Sequence, residues 1–266
     1  MKAGVDIGSS LVKAVWIKEE GYKLFSTADT PLEEIAQELK EDGIKRINVV
    51  GIGSHADYFK DFDIKTTEGD KIENEVRLQA RGVKKMLENP DISFLLVSIG
   101  TGTSYTLVKG EKVIRFPLGN SISGGYINGL GKVLGMQDYN ELVKLSAASM
   151  PLDLCVKDMI PEKAGTFEGE LIIANFGKGT ADSEKGRAYA SVVSSVAVTS
   201  IRDIMLMNMM PAFQPPKDIV YIGSTVSRTP LLKNLLNQYS IMIGKNPHFP
   251  KNGEFALAMG AYHMEE

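Results

Sequence analysis

Two stretches of apolar and β-branched residues each surround a turn of small residues. Residues 2–17 carry an apolar run at residues 3–7, the turn at residues 8–10 and then a second apolar run. Residues 94–109 repeat this order around the turn at residues 100–104. Apolar runs on both sides of a small-residue turn are typical of β-hairpins. The pattern therefore predicts one hairpin in each of two halves of the chain.

A second pair of segments also matches. In residues 46–62 the apolar run Ile-Asn-Val-Val leads to a Gly-Ile-Gly-Ser loop and then to a helical pattern. In residues 218–239 the run Ile-Val-Tyr-Ile leads to Gly-Ser-Thr and a helix whose leucines, residues 231, 232, 235 and 236, recur at helical spacing. Each half thus opens with a hairpin and closes with strand, loop and helix. We expect a duplicated α/β architecture.

A duplicated chain of this kind predicts two lobes with a cleft between them. The turn-like tripeptide at residues 89–91 suggests a boundary there, which gives an N-terminal lobe of residues 1–89 and a C-terminal lobe of residues 90–266. A helix over about residues 71–87 would link the lobes. The small apolar segment at about residues 254–266 is expected to form a final helix that packs near the cleft.

Composition narrows the class of protein. The 266 residues are 43% hydrophobic and carry a net charge of -3, which disfavours a nucleic-acid binder dominated by phosphate contacts. The single cysteine, Cys155, excludes an internal disulfide and a zinc site built on cysteine pairs. The longest apolar stretch, residues 188–201, contains serines and is too short to span a bilayer. We therefore expect a cytoplasmic protein that binds neither nucleic acid nor membrane.

Three glycine-containing turns indicate a site for a polyphosphate. Backbone N–H groups in turns of Gly, Ser and Thr form concave sites for anions. Any one of these turns is also explained by the need of a tight turn for glycine. Their matching places in the two halves favour phosphate binding by Gly8, Ser9 and Ser10, by Gly100, Thr101, Gly102, Thr103 and Ser104, and by Gly223 and Ser224.

Two charged residues flank the first turn. Asp6 ends an apolar strand, where its carboxylate either holds Mg²⁺ through water or caps the turn. Lys13 lies in the following strand, as a cation for a terminal phosphate or as a solvated lysine on an edge strand. Both interpretations stay open for each residue.

A second glycine cluster precedes and enters a predicted helix. Gly124 and Gly125 open it, and the N-terminus of a helix preceded by small residues is able to bind phosphate. Gly129 and Gly131 lie inside it, at a cost of about 1 kcal/mol each relative to alanine. They would allow the close approach of another backbone or of a base ring, unless the helix is simply a packing element.

Taken together, these segments resemble the type II pantothenate kinases of the acetate kinase, sugar kinase, heat-shock chaperone and actin superfamily. The resemblance covers nearly the whole chain. The Asp-x-Gly-x-x-x-x-Lys opening is shared across the superfamily, whereas Ala-Asn-Phe-Gly and Asn-Gly-x-Phe are more specific to the family. The segments that carry it are residues 6–13, 99–104, 124–131, 174–177, 219–224 and 252–256.

The resemblance implies a duplicated, two-lobed actin-like ATPase (ribonuclease H-like) fold with an interlobe nucleotide cleft. It implies ATP-dependent phosphorylation of pantothenate, the first step of coenzyme A biosynthesis, with ATP and Mg²⁺, in a homodimer. It also implies a catalytic glutamate several residues before a glycine, a spacing that Glu75 and Gly82 fit. Glu73 is a neighbouring competitor, and an exposed acid on a helix surface is the alternative interpretation of Glu75.

The family's arginine before the glycine-rich helix is displaced in this chain. Counting back from Gly124, its position holds Phe116, and Arg115 lies one residue away. One step along a strand reverses the direction of a side chain. Either a local shift returns Arg115 to the site or its role is lost. We predict Arg115 and Glu75 as the catalytic residues.

Two other functions remain open. One is a kinase of the same fold that acts on another pantetheine-like or hydroxy-acid acceptor. The other is a sensor that binds a nucleotide or acyl-CoA without turnover. An activator that carries an iron–sulfur cluster shares the fold but needs cluster cysteines, and Cys155 alone does not supply them.

Overall fold

The computed structural model describes residues 1–19, 21–51, 56–87 and 91–264. Its strands within these ranges are β1 Lys2–Ile7, β2 Val12–Lys18, β3 Gly21–Ser26, β4 Arg46–Gly51, β5 Asp63–Thr66, β6 Phe94–Ile99, β7 Thr103–Lys109, β8 Lys112–Arg115, β9 Leu154–Cys155, β10 Ile172–Ala174, β11 Asp218–Ile222 and β12 Asn246–His248. Its α-helices are α1 Leu32–Glu41, α2 Lys71–Met86, α3 Gly124–Val133, α4 Tyr139–Ala147, α5 Val156–Met159, α6 Lys185–Asn208, α7 Ser224–Arg228, α8 Pro230–Met242 and α9 Ala256–Tyr262.

The two large sheets have the same strand order. The first runs β3-β2-β1-β4-β5, with β1 to β3 antiparallel and β4 and β5 parallel to β1. The second runs β8-β7-β6-β11-β12, with β7 and β8 antiparallel and β11 and β12 parallel. β9 and β10 form a separate two-stranded sheet, and when only the strands of each five-stranded sheet are numbered in chain order, both sheets have the order third, second, first, fourth, fifth. This confirms the duplicated α/β architecture and the hairpin predicted in each half.

A glycine with a left-handed backbone lies at the end of β4 and directly after β11, the equivalent strands of the two large sheets. Gly51 has φ 101° and Gly223 has φ 108°. A Cβ atom would lie 2.3 Å from the carbonyl oxygen of Ile7 at the first position and 2.3 Å from that of Ile99 at the second. Only glycine combines this conformation with so close an approach. The two segments of the second sequence match therefore share the same backbone geometry at their first loop glycine. Residues 52–54 of the first loop lie outside the described residues.

The described residues form two compact units. The first comprises residues 1–96, 106–116 and 249–266, and the second comprises residues 97–105 and 117–248. Helix α2 has the bounds expected from the sequence to within one residue and belongs to the first unit. Residues 89 and 90, where the sequence suggested the boundary, lie outside the described part of the chain, so that boundary stays a prediction.

Helix α9 packs against β1 and α2 of the first unit with almost no side chain between the backbones. A Cβ at Gly82 of α2 would lie 1.8 Å from the carbonyl oxygen of Ala256. A Cβ at Gly260 would lie 1.8 Å from the carbonyl oxygen of Leu78, and one at Gly4 would lie 2.0 Å from a carbonyl of α9. The three glycines set the spacing of β1, α9 and α2. Of these elements, β1 carries Asp6 and α2 carries Glu75.

Helix α6 extends beyond both ends of the apolar stretch at residues 188–201. It spans 24 residues, Lys185–Asn208, and the hydroxyl of Ser183 just before it accepts a hydrogen bond from the amide of Thr180 at 2.8 Å. Contrary to the sequence prediction, this helix of the described residues is long and apolar enough to cross a bilayer. Residues 189–197 are buried on every side within the second unit. A helix buried all round is typical of a protein core.

A charged cluster at the end of α1 ties that helix to the β2–β3 hairpin. The buried carboxylate of Asp42 accepts the indole N–H of Trp16 at 2.8 Å and contacts the ammonium groups of Lys18 and Lys23. These donors hold the pKa of Asp42 well below its usual range, Lys18 contributing most.

Asp42→Asn is expected to lower the unfolding midpoint at neutral pH. A depressed folded pKa means that the carboxylate stabilises the fold above its unfolded pKa and loses that effect as the pH falls. The difference between wild type and variant should therefore shrink below about pH 4. Thermal unfolding measured from pH 7 to pH 2 tests this. Asp61→Asn, which breaks an exposed pair with Lys40, should change the midpoint much less.

Candidate active site

Asp6 and Lys13 form a buried ion pair at the mouth of the first hairpin. The antiparallel register of β1 and β2 sets them opposite each other, with the ammonium nitrogen 3.2 Å from Oδ2 of the carboxylate. Their side chains are only 8% and 12% exposed, and β3 covers the outer side of β2. A solvated lysine on an edge strand is therefore the wrong interpretation. Burial raises the pKa of Asp6 and outweighs the lowering effect of Lys13.

The two candidate glutamates of α2 have different surroundings. Glu73 is 61% exposed and pairs with Arg77 one turn later, at 2.5 Å. Glu75 is half-buried, and desolvation raises its pKa, with a further increase from the negative charge of Asp6. A carboxylate with a raised pKa is suited to general base catalysis near neutral pH. The exposed surface acid is Glu73.

Arg115 ends β8 and its charge acts on Glu75, whose pKa it lowers against the effects of burial and Asp6. Lys84 of α2 fastens the β7–β8 hairpin to the helix by donating to the carbonyl of Gly110 at 2.7 Å. Between the start of α2 and β8 lies a half-open groove of about 270 Å³. Its lining residues are Asp70, Ile72, Glu73, Val76, Arg77, Val113 and Arg115.

The glycine turn of the second unit is held by the start of α3. The amide of Gly124 donates to the carbonyl of Gly100 at 3.0 Å, and the amide of Gly125 donates to that of Thr101 at 2.9 Å. The hydroxyl of Thr225 also donates to Gly100, at 3.1 Å. A Cβ at Gly124 would lie 2.4 Å from the Gly100 oxygen. These two glycine amides, which the sequence suggested as phosphate donors, thus bind the turn itself.

The other glycines singled out from the sequence differ in their hydrogen bonds and in the atoms packed against them. The amide of Gly8 donates to the carbonyl of Leu11 at 3.0 Å and closes the first turn. Gly129 is exposed, and a Cβ there would meet no atom within 4 Å, so no backbone approaches it. Gly131 lies against the side chains of Met136 and Leu142. Inside α3, close packing is therefore a property of Gly131 and not of Gly129.

The predicted residues fall into two sets. Asp6, Gly8, Ser9, Ser10, Lys13, Glu75 and Arg115 lie in the first unit, and the other predicted phosphate-binding residues, at positions 100–104, 124, 125, 129, 223 and 224, lie in the second. Among the described residues, no group of three or more histidine, cysteine, aspartate or glutamate side chains is placed to hold a metal ion.

Sequence reasoning missed several residues that shape the second turn. They are Tyr105, Asn120, Ser123 and Asp203. Asp203 gave a sequence signal, because it is an acidic residue in the largely apolar α6 and a carboxylate in such a helix requires hydrogen-bond donors. The others gave no sequence signal, since their roles depend on contacts far along the chain.

A protein-family model named Fumble matches residues 70–263, well over half of the chain. The chain belongs to the Fumble family. Two relatives match this Fumble-family chain over its length, and both are named type II pantothenate kinase. The protein from Staphylococcus saprophyticus is 29% identical over 272 residues, covering 99% of this chain and 100% of the relative. The protein from Staphylococcus aureus strain USA300 is 26% identical over 287 residues, covering 100% of both.

A solved structure of another protein has a fold similar to that of this Fumble-family chain. It is the activator of 2-hydroxyisocaproyl-CoA dehydratase from Clostridium difficile with bound ADPNP, with a TM-score of 0.63 at 16% identity, covering 98% of this chain and 92% of the other. Similarity at this identity concerns fold alone. Together with the two matching sheets, it confirms the predicted actin-like ATPase (ribonuclease H-like) fold.

Proposed function

We propose that this Fumble-family protein transfers the γ-phosphoryl group of ATP to the primary hydroxyl of pantothenate, forming 4'-phosphopantothenate at the start of coenzyme A biosynthesis. The observation that carries the proposal is Glu75, a half-buried carboxylate with a raised pKa beside the charges of Asp6 and Arg115. Full-length similarity to proteins named type II pantothenate kinase supports the acceptor.

Three side chains of this protein have distinct roles in the reaction. Glu75 accepts the proton of the attacking hydroxyl, which makes the oxygen a better nucleophile. Lys13 offsets negative charge on the phosphates beside the first turn, while the amide of Gly8 closes that turn. Arg115 presents planar donors that suit a carboxylate or a phosphoryl group. The phosphoryl group then moves in line from the nucleotide to the acceptor oxygen.

Asp6 is the residue of this chain that would hold the magnesium ion that the family resemblance implies. Asp6 offers a hard oxygen donor of the kind that Mg²⁺ prefers, and it lies beside a lysine suited to phosphate. Bound there, Mg²⁺ supplies charge neutralisation at the β- and γ-phosphates.

The groove between α2 and β8 offers a small amphipathic acceptor apolar walls and charges of both signs, since the carboxylates of Asp70 and Glu73 line it together with two arginines. Ile72, Val76 and Val113 supply apolar walls, and Arg115 supplies a cation at one side. Pantothenate has a carboxylate, a hydroxyl and a short apolar body. We assign the groove to the part of the acceptor that does not react.

We also propose a cytoplasmic homodimer, as the family resemblance implies. Light scattering of the purified protein tests the dimer, for which a mass of about twice 29.0 kDa is expected. A mass equal to that of one chain at micromolar concentration would contradict it.

A coupled assay of ADP release, with and without pantothenate, tests the activity. Release that requires pantothenate, with 4'-phosphopantothenate identified by mass spectrometry, supports the proposal. If ATP binds but pantothenate does not stimulate its turnover, the acceptor is wrong. A panel of pantetheine-like and hydroxy-acid alcohols then separates another kinase from a sensor without turnover.

The pH dependence of the reaction is expected to depend on Arg115. As the general base, Glu75 must be deprotonated, so kcat/KM should fall as the pH drops through its raised pKa. Arg115→Gln removes the cation that lowers this pKa, and the acidic limb of the profile should move to higher pH. Profiles of kcat/KM measured under saturating ATP test this.

Arg77→Gln is the matched control for that shift. Arg77 lies on the same helix and in the same groove, but it pairs with Glu73. Its removal should leave the acidic limb in place, whatever its effect on the rate. A limb that stays fixed in Arg115→Gln would remove Arg115 from the surroundings of the base.

A further inference from the structure

Asp203 is a partly buried carboxylate on α6 that receives two strong hydrogen bonds. Its side chain is 19% exposed. Oδ2 accepts the hydroxyl of Tyr105 at 2.8 Å and the side-chain amide of Asn120 at 2.7 Å. Hydrogen bonds to an ionised carboxylate are roughly twice as strong as those between neutral groups. One side chain of α6 thereby holds two other segments of the second unit.

Tyr105 and Asn120 lie on the two sides of a small β-bridge. Asn120 pairs with Thr103 through two backbone hydrogen bonds of 2.9 Å. Tyr105 follows Thr103 by two residues in β7 and is buried. The side-chain oxygen of Asn120 also accepts the amide of Ile122 at 2.8 Å, which shapes the loop into α3. Asp203 therefore fixes both strands of the bridge.

The bridge connects directly to the glycine turn. The hydroxyls of buried Thr103 and Ser123 lie 2.9 Å apart, and that of Ser123 donates to the carbonyl of Gly100 at 3.2 Å. The amide of Gly124 donates to the same carbonyl. A continuous set of hydrogen bonds thus runs from Asp203 through the bridge to the turn, entirely within the second unit.

The phenol of Tyr105 stays protonated in this network. Burial raises its pKa far above the usual range, and the negative charge of Asp203 raises it further. Tyr105 is therefore a hydrogen-bond donor at every physiological pH. The exposed Arg202 lies 3.6 Å from the other carboxylate oxygen and does not compete for Oδ2.

We propose that Asp203 is a positioning residue for the nucleotide, acting through Tyr105 and Asn120 to hold the turn at residues 100–103 in the shape that receives phosphate groups. Asp203 itself does not contact the substrate. The inference rests on the proposed function, because that function makes this turn a phosphate site. Small displacements of such a turn weaken binding and transfer, since donors must face the phosphate oxygens.

Asp203→Ala removes the shared acceptor and is expected to raise the KM for ATP about tenfold or more. The KM for pantothenate should stay near the wild-type value. A residue that only stabilises the fold would instead reduce the active fraction, lowering kcat and leaving both KM values unchanged. That second pattern would overturn the proposal. Steady-state kinetics with each substrate varied in turn distinguishes the two patterns.

Three further variants test the same positioning role of Asp203. Asp203→Asn keeps the size and one acceptor, so its KM for ATP should lie between wild type and Asp203→Ala. Tyr105→Phe removes one donor, and its effect should not add to that of Asp203→Ala. Arg202→Ala is the matched control on the neighbouring position and should leave both KM values unchanged. If Asp203→Ala fails to fold, Asp203→Asn and Tyr105→Phe decide, and unchanged KM values for ATP in both would overturn the role.

Calorimetric titration of Mg·ATP without any acceptor separates this inference from the proposed function. If wild type binds ATP but pantothenate gives no turnover, the acceptor is wrong, and weaker ATP binding by Asp203→Ala still supports positioning. If turnover occurs and Asp203→Ala binds ATP as wild type does, the positioning role is wrong while the function holds. A wild-type protein that binds no ATP would overturn both.

Discussion

Glu75→Gln is expected to lower kcat by about 10²–10⁴-fold, the usual contribution of a positioned general base. The amide has the shape of the carboxylate but cannot accept the proton of the pantothenate hydroxyl. Because Glu75 is assigned to the acceptor and not to the nucleotide, the KM for ATP should change little. Single-turnover measurements with saturating ATP report the chemical step directly.

Glu73→Gln is the matched control, two residues away on the same helix. Its carboxylate is exposed and paired with Arg77, so its loss should leave kcat near that of wild type. If Glu73→Gln abolishes turnover and Glu75→Gln does not, the two acids have been assigned in the wrong order. Equal activity of both variants and wild type would remove a carboxylate base on α2 from the mechanism.

Gly260→Val is expected to destabilise the first unit by about 3 kcal/mol or more. A Cβ at this position would lie 1.8 Å from the backbone oxygen of Leu78, and a backbone atom has no rotamer with which to move aside. Helix α9 must therefore move away from α2. The unfolding midpoint should fall by roughly 5–10 °C, and activity should fall with it because α2 carries Glu75.

Gly21→Ala is the control for that substitution. Gly21 lies in β3 of the same unit, and a Cβ there would meet no atom within 4 Å. Its midpoint should stay close to that of wild type. An unchanged midpoint in Gly260→Val would contradict the backbone contact between α9 and α2.

Local patterns predicted much of this fold. The hairpins, the strand, loop and helix of the second half, and the bounds of α2 follow from apolar spacing over a few residues. The helix predicted after the first loop is wrong as an α-helix, because the described residues there form only a four-residue 3-10 helix, Ala56–Phe59. The repeat was strong enough to predict a duplicated architecture, which the matching strand order of the two sheets confirms. The equivalence of Gly51 and Gly223 gives it a physical basis, because both positions demand the same backbone geometry.

Long-range contacts account for what the sequence did not disclose. Asp203 lies 98 positions from Tyr105, so no local pattern relates them. The amides of Gly124 and Gly125 look like free donors at a helix start until the turn at residues 100–101 is seen to bind them. Burial separates Glu75 from Glu73, and it depends on the fold around α2 and not on the two side chains.

The first unit is assembled from distant parts of the chain, and this sets an order during protein synthesis. Helix α9, which β1 and α2 require, is translated only after the whole of the second unit. Until α9 emerges from the ribosome, the side-chain amide of Asn48 lacks its hydrogen-bond acceptor, the carbonyl of Ala261. The backbone around Gly4 and Gly82 also lacks its contact with α9. The second unit thus has all its residues before β1 and α2 of the first unit gain their contacts with α9.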